Sequence, residues 1–146
     1  MHTAKEVGGD FYDFYFVDED TIAFLIADVS GKGIPAAMFM MTAKTFLKSY
    51  AESGMRVEEV FTHANDKLCE GNDANMFVTA WMGFLNTKTG VVSYANAGHN
   101  PPLIKENEKG TGQILRSYSS ESDSDGIYKY SYDLLRCRNN ILKNNY

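Results

Sequence analysis

Two aspartates in this chain lie in short motifs of the kind that can hold a metal ion. Asp10 lies in Gly-Gly-Asp-Phe-Tyr-Asp-Phe (residues 8–14), and Asp28 lies in Ile-Ala-Asp-Val-Ser-Gly-Lys-Gly (residues 26–33). If the two apolar runs between them pair as strands, both carboxylates reach the same end of a sheet, beside a glycine-rich loop with free backbone carbonyls. Hard oxygen ligands of this type suit Mg²⁺ or Mn²⁺. The pattern therefore predicts a metal-dependent hydrolase.

The elements that would position these aspartates follow from the apolar pattern. The continuous apolar run at 21–27 is typical of a strand that is covered on both faces. Pro35 suits the first turn of a helix, and Gly90 suits a hairpin turn. The predicted order is strands at 11–17 and 21–27, helices at 36–51 and about 57–70, strands at 76–86 and 91–95, and an edge strand that starts at Pro101. This order predicts an α+β fold, with a mainly antiparallel sheet and helices on one face.

Composition limits the class of protein. The chain has 146 residues, of which 44% are hydrophobic, so one domain with a real core is expected. A net charge of -5 argues against nucleic acid as a partner. No apolar run approaches 18 residues, so no membrane segment is predicted. The start of the chain is not a signal peptide, and Cys69 and Cys137 form no CxxC pattern. These features favour a reduced, cytoplasmic protein.

Four motifs, in order, resemble the SpoIIE/RsbU-type bacterial serine phosphatases, which belong to the PP2C-like, metal-dependent protein phosphatases. The motifs are the two described above, with Pro-Ala-Ala (35–37) after the second, then Met-Phe-Val-Thr (76–79) and Asn-Ala-Gly-His-Asn-Pro-Pro-Leu (96–103). The resemblance covers about residues 4–105. It implies a PP2C-like αββα sandwich of mainly antiparallel sheets flanked by helices. It also implies two Mn²⁺ or Mg²⁺ ions and hydrolysis of phosphoserine or phosphothreonine by a metal-activated water. The family's usual partners are phosphorylated STAS-type anti-anti-sigma factors.

The resemblance also implies roles for particular residues. Asp10 would ligate one metal, Asp28 would bridge both metals, and the main-chain carbonyl of Val29 would be a further ligand. No protein nucleophile is needed, because the water attacks phosphorus directly. Three other residues stay open between two readings. Lys32 either contacts an anionic substrate or is simply solvated. His99 either acts on the substrate, as a general acid, or orders its own loop by hydrogen bonds, and its neighbour Asn100 either contacts the substrate or helps to order that loop.

The C-terminal part departs from the family pattern. Asp125 in Asp-Gly-Ile is a weak candidate for a further metal ligand, because it lacks the Thr-Glu that follows the corresponding family aspartate. We therefore expect residues 1–110 to form the N-terminal part of a phosphatase domain that is incomplete at its C-terminal end. Residues 111–146 are expected to be a divergent, non-homologous tail, produced by a frameshift, an early stop or a degenerate copy. The chain begins at the first motif, so no upstream sensor domain is expected in it.

Three hypotheses follow for function. The first is a protein serine/threonine phosphatase that acts on phosphoserine of a regulatory, STAS-type protein. The second is a catalytically impaired pseudophosphatase, or fragment, that only binds such a partner. The third is a chain that is not a functional product, because missing strands would leave sheet edges and a core face uncovered. Homodimerisation is left open.

Overall fold

The computed structural model describes residues 8–106, 111–114 and 127–132, and it describes side chains as far as Pro102. The described residues form two helices and five strands in the predicted order, with two further strands after residue 110. The elements are β1 (Phe11–Phe16), β2 (Thr21–Val29), α1 (Ile34–Glu52), α2 (Val57–Cys69), β3 (Val78–Asn86), β4 (Val92–Ala97), β5 (Leu103–Glu106), β6 (Thr111–Ile114) and β7 (Ile127–Tyr132).

The main sheet has the strand order β1-β2-β3-β4-β7. The first four strands pair antiparallel, and β7 pairs parallel to β4. β5 and β6 form a separate antiparallel pair. Within the described residues β5 therefore has one partner strand, as predicted for an edge strand that starts beside two prolines. The prediction of an α+β fold with a mainly antiparallel sheet is confirmed.

Local sequence signals mark the N-terminus of each helix. Gly33 precedes α1 with a φ of 77°, a conformation that favours glycine, and Pro35 lies in the first turn. At the start of α2, the Arg56 backbone N–H donates to Glu59 Oε2 at 3.0 Å. Glu58 and Glu59 lie in the first turn of α2. Negative charge at this end of a helix interacts favourably with the helix dipole.

The helices cover one face of the main sheet. Alternate strand residues on this face are small and buried, and include Ala27, Ala80 and Ala95. Small side chains let the helices lie close to the strands, and Leu47 of α1 and Phe61 of α2 fill the space between them with 0% and 1% exposure. The position of the helices on a single face matches the prediction.

The other face of the sheet is apolar but open at its first two strands. Tyr12, Phe14 and Phe16 are 62–70% exposed, and Ile26 is 47% exposed. The prediction that the strand at 21–27 is covered on both faces is therefore wrong for the described structure. Along β2, burial alternates with a period of two, because successive side chains point to opposite faces and the helices cover only one.

Several element boundaries also differ from the predictions. β2 continues to Val29, so Asp28 lies within the strand instead of after it. β4 extends through Asn96 to Ala97, two residues beyond the predicted end of this strand at residue 95. The expectation of reduced cysteines stays a prediction, and Cys69 ends α2. Cys137 lies outside the described residues. Within the described part of the chain, no helix is long and apolar enough to cross a membrane.

Candidate active site

The pairing of β1 with β2 brings the two aspartates of the sequence motifs together. Phe11 pairs with Ala27 in this antiparallel ladder, so Asp10 and Asp28 follow as the next opposed positions at the same end of the sheet. Their carboxyl groups lie within hydrogen-bond reach of each other, and both residues are exposed. The structure confirms the predicted meeting of the two aspartates.

The proximity of these carboxyl groups changes their electrostatics. The pKa of Asp28 is raised by partial burial, then by a hydrogen bond with Asp10, and then by the negative charge of Asp10. Two neighbouring carboxylates resist simultaneous ionisation, because each destabilises the charged form of the other. A cation placed between them would remove this repulsion.

The carbonyl of Val29 lies in a tightly packed part of the site. The Val29 side chain is 3% exposed. A Cβ atom added at Gly9 would lie 3.0 Å from Val29 Cβ, 3.2 Å from the Val29 carbonyl oxygen and 3.4 Å from Ala36 Cβ. Because Gly9 has no side chain, it leaves room for the main chain of Val29.

Two hydrogen bonds join the loop after β2 to Phe77, the residue that precedes β3. The Ser30 backbone N–H donates to the Phe77 carbonyl at 2.9 Å, and the Phe77 N–H donates to Ser30 Oγ at 2.9 Å. Gly31 and Gly33 then turn the chain into α1 with φ angles of 87° and 77°. The glycines turn the loop away from the aspartates, as expected, and the Ser30 contacts fix where this turn begins.

Thr79 connects the aspartates to His99. It is the β3 partner of Asp28 in the strand register. Its hydroxyl lies 2.9 Å from His99 Nδ1 and donates to the Asp28 carbonyl at 3.4 Å. The pKa of His99 is lowered by burial, and this effect is opposed in part by the negative charge of Asp10. Asp10, Asp28, Thr79 and His99 thus form a row across one end of the sheet.

The loop that carries His99 is ordered chiefly by Asn96. Asn96 is 9% exposed at the end of β4. Its Oδ1 accepts from the His99 N–H at 2.8 Å, and its Nδ2 donates to the His99 carbonyl at 3.0 Å. One amide side chain thereby holds both backbone groups of His99, while the His99 ring is turned to Thr79.

Three other predicted site residues are placed less centrally. Lys32 and Asn100 are exposed in the loops that follow β2 and β4. Asp125 lies outside the described residues. Sequence reasoning gave no role to Thr79, Asn96 or Ser30, although all three lie inside the quoted motifs. Their polar side chains within apolar stretches were the available signal, but their partners depend on strand register.

The donor set at the sheet end fits a hard divalent cation. Asp10 and Asp28 supply carboxylate oxygens that repel each other without a cation, and the main chain of Val29 supplies a carbonyl beside them. Among the described residues, no cluster of three or more His, Cys, Asp or Glu side chains is arranged to hold a metal. These oxygen atoms would therefore supply only part of a coordination shell, and water or further ligands would have to complete it.

Replacement of Thr79 by valine tests the connection to His99. Valine has nearly the same shape but cannot hydrogen-bond, so we expect a loss of about 1 kcal/mol in unfolding free energy. The His99 ring, without its fixed partner, should populate both neutral tautomers, which ¹⁵N NMR distinguishes. Thr62→Val is the control, because the Thr62 hydroxyl donates to the Glu58 carbonyl of its own helix. An unchanged His99 spectrum in Thr79→Val would contradict the contact.

The structure also contains a cavity of about 490 Å³ away from this row. Its lining includes Thr21, Arg56 and Asn86. Thr21 and Asn86 pair at the end of the β2–β3 ladder opposite to Asp28 and Thr79. The cavity is therefore separate from the candidate active site.

The chain is similar to named proteins in both sequence and structure. It is 39% identical over 98 residues to "Phosphoserine phosphatase RsbU" of Bacillus subtilis, an alignment that covers 67% of this chain and 29% of RsbU. The crystal structure of the RsbU and RsbW domains of a Mycobacterium tuberculosis protein matches with a TM-score of 0.62 and 28% identity, over 68% of this chain and 28% of that one.

A second solved structure agrees at the level of the fold. The PP2C phosphatase domain of SpoIIE from Bacillus subtilis, solved with a fragment of its regulatory domain, matches with a TM-score of 0.65 and 16% identity. That match covers 89% of this chain and 37% of the other. The fold is therefore PP2C-like.

The chain spans less than a third of the length of RsbU. The family described as "Stage II sporulation protein E (SpoIIE)" matches residues 18–119, which is more than half of the chain. With four motifs, a PP2C-like fold and this match in agreement, the chain belongs to the SpoIIE family.

Proposed function

We propose that this chain carries part of a metal-dependent protein serine/threonine phosphatase site, with residues 1–110 as the N-terminal part of the phosphatase domain and 111–146 as a divergent tail. The observation that supports this most directly is the meeting of Asp10 and Asp28 at one sheet end beside the Val29 main chain. Similarity to a protein named phosphoserine phosphatase supports the reaction class.

The proposed roles of the residues are those that the family resemblance implies. Asp10 and Asp28 would hold two Mn²⁺ or Mg²⁺ ions, with Asp28 bridging them and the Val29 carbonyl as a further ligand. Bound cations of this type activate water and neutralise charge on phosphoryl oxygens. Gly9 leaves room for the Val29 carbonyl, and Ser30 holds the loop that follows it.

His99 is the described side chain best placed to assist the reaction at this site. Thr79 fixes its Nδ1, so the ring's remaining nitrogen is the one available to a substrate. Its lowered pKa keeps it largely neutral near pH 7, in a form that can accept a hydrogen bond or a proton. Lys32 is exposed in the neighbouring loop and could contact an anionic substrate.

The proposed substrate is phosphoserine on a small regulatory protein in the cytoplasm, a STAS-type anti-anti-sigma factor in the family pattern. The test is Mn²⁺-dependent release of phosphate from p-nitrophenyl phosphate and from a serine-phosphorylated protein of this type. Turnover that EDTA abolishes and Mn²⁺ restores would support the proposal. Binding of the phosphoprotein without any turnover would favour the alternative, a pseudophosphatase that acts only by binding its partner.

That alternative has one observation in its favour. The described residues bring two carboxylates together and no third, whereas a hard cation takes about six oxygen ligands. Calorimetric titration with Mn²⁺ distinguishes the two cases, because a site limited to Asp10 and Asp28 should bind weakly. A micromolar or tighter affinity would argue for a completed shell.

The raised pKa of Asp28 predicts how metal binding depends on pH. A metal must displace the proton, so affinity should fall as the pH decreases through the pKa of Asp28, which lies above the ordinary value for aspartate. We expect calorimetry between pH 7 and pH 4 to show weakening that begins at a higher pH than for an isolated carboxylate. A constant affinity over this range would contradict the shared carboxylate site.

A further inference from the structure

The direction of the Val29 carbonyl is set by the peptide unit to which it belongs. That unit also contains the N–H of Ser30, and in a planar trans peptide the C=O and the N–H point in opposite directions. The Ser30 N–H donates to the Phe77 carbonyl at 2.9 Å, on the side of β3. The Val29 carbonyl therefore points to the other side, where its oxygen would lie 3.2 Å from a Cβ atom added at Gly9. Whatever fixes the position of Phe77 thus also fixes the direction of the Val29 carbonyl.

A second peptide unit, between Met76 and Phe77, is held at both ends. Its N–H, from Phe77, donates to Ser30 Oγ at 2.9 Å. Its C=O, from Met76, accepts from Asn72 Nδ2 at 2.7 Å. Asn72 Oδ1 in addition accepts from the Met76 N–H at 3.0 Å. One side-chain amide thus binds both backbone groups of Met76, and three hydrogen bonds in series connect Asn72 to the peptide unit of Val29.

The side chain of Met76 adds a packing contact to the same loop. Its Cε atom would lie 3.7 Å from a Cβ atom added at Gly31, which is an ordinary van der Waals distance. Gly31 and Gly33 have positive φ angles, and glycine has wide conformational freedom. The loop that follows Val29 therefore gains order from its contacts with the segment at 72–77.

A turn between Asn72 and Met76 explains how one side chain reaches both backbone groups. The Asn75 N–H donates to the Asn72 carbonyl at 3.1 Å. Asn75 has a φ of 51°, in the left-handed region that asparagine tolerates better than most residues. Met76 and Phe77 precede β3, which begins at Val78. The Asn72 amide therefore holds Met76 at a position that lies before the strand.

We propose that Asn72 is a positioning residue of the candidate metal site, and that it acts through Ser30 to fix the direction of the Val29 carbonyl. This proposal rests on the proposed function, in which that carbonyl is a metal ligand. Groups that orient a metal ligand from outside typically change metal affinity about 10- to 100-fold when they are removed. Loss of the Asn72 amide should therefore weaken Mn²⁺ binding although every proposed ligand remains.

Calorimetric titration with Mn²⁺ compares two asparagine variants. Asn72→Ala removes the amide that holds Met76 and should weaken Mn²⁺ binding about tenfold or more. Asn86→Ala is the matched control, because Asn86 is also half-buried and its Oδ1 accepts from the backbone N–H groups of Lys88 and Thr89 at 3.1 and 2.9 Å. Asn86 lies at the other end of β3, so its loss should change the affinity by less than about twofold. Equal weakening by both variants would indicate general destabilisation and would overturn the proposal.

Amide hydrogen exchange tests the same connection in the metal-free chain. The Ser30 N–H should exchange about tenfold faster in Asn72→Ala, because its acceptor, the Phe77 carbonyl, is no longer held in place. Asn86→Ala should leave this exchange unchanged. Asn72→Asp is a milder variant that keeps the side-chain shape but cannot donate to the Met76 carbonyl, and it should also speed the exchange of the Ser30 N–H. Unchanged exchange in both Asn72 variants would contradict the positioning role.

A double-mutant cycle identifies the route of the effect. Ser30→Ala removes the acceptor of the Phe77 N–H and should itself weaken Mn²⁺ binding about tenfold. If Asn72 acts through Ser30, the chain with both changes should bind Mn²⁺ about as weakly as the weaker of the two single variants. Losses that multiply to about 100-fold would show that Asn72 acts independently of Ser30, and the proposal would be wrong.

The readouts separate this proposal from the proposed function. If the original chain binds no Mn²⁺, the proposed function fails, and exchange of the Ser30 N–H then decides whether Asn72 holds the loop. If the original chain binds Mn²⁺ and Asn72→Ala binds it equally well, the proposed function stands and the positioning role is wrong.

Discussion

Asp28→Asn is expected to abolish Mn²⁺-dependent phosphatase activity while the metal-free chain stays folded. Asparagine keeps the shape of aspartate but cannot bridge two cations with a carboxylate. The loss should be at least roughly 10³-fold in kcat/KM, which corresponds to the several kcal/mol of transition-state stabilisation that such metals supply. Phosphate release from p-nitrophenyl phosphate at saturating Mn²⁺ measures this effect.

Although Asp28→Asn should abolish activity, it should increase the stability of the metal-free chain. The pKa of Asp28 is raised in the folded state, so folding is favoured while Asp28 is protonated, and this contribution is lost as pH rises through the folded pKa. The neighbouring carboxylate of Asp10 destabilises the charged form of Asp28, and asparagine, which carries no charge, removes that effect. We expect Asp28→Asn to melt at a higher temperature than the original chain without metal, and to lose the thermal shift that Mn²⁺ causes.

The matched control is Asp73→Asn, a change of the same kind at an exposed loop position. It should leave activity and the Mn²⁺-induced thermal shift intact. If Asp28→Asn retained the thermal shift, or if Asp73→Asn lost it, Asp28 would not be a metal ligand. A lower melting temperature of metal-free Asp28→Asn at pH 7 would contradict the repulsion between Asp10 and Asp28.

Gly9→Val is expected to inactivate the site through the main chain of Val29. A Cβ atom at position 9 already meets Val29 Cβ at 3.0 Å and the Val29 carbonyl oxygen at 3.2 Å. The two further methyl groups of valine must displace one of the packed segments, at a cost of about 1–3 kcal/mol in stability. A displacement of about 1 Å in a positioned catalytic group can lower the rate about 10²-fold. We expect a loss of this order in kcat/KM.

A graded series separates displacement from unfolding. Gly9→Ala should cause smaller losses of activity and stability than Gly9→Val. Its single methyl group would lie 3.0 Å from Val29 Cβ, a contact that a small shift can relieve. Far-UV circular dichroism and thermal melting should show that both variants remain folded at 20 °C. Full activity in Gly9→Val would mean that the carbonyl of Val29 is not needed as a ligand.

The local features of the fold could be predicted from the sequence. Hairpin turns, the Pro35 helix start and the apolar periodicity each depend on residues that are close together in the chain. These signals predicted the order of the first seven elements. The pairing of Asp10 with Asp28 could also be predicted, because a short turn joins β1 to β2 and leaves few alternative registers.

Contacts between distant segments could not be predicted in the same way. Thr79 lies opposite Asp28 only because β3 returns to the sheet after two helices, and no local pattern specifies that register. The exposure of Ile26 has the same origin, since an apolar strand does not reveal whether one or both of its faces will be covered. The role of Asn96 in holding His99 likewise depends on where β4 ends.

The sequence by itself therefore determined the family, the two aspartates and the end of the sheet at which they meet, because motif residues and a short hairpin are local properties. Only the tertiary structure decided which side chains surround those aspartates. It placed Thr79 and His99 in one row with them and opened the space at Gly9 for the Val29 carbonyl. These outcomes depend on long-range strand register and on the packing of helices, which are set by the whole chain at once.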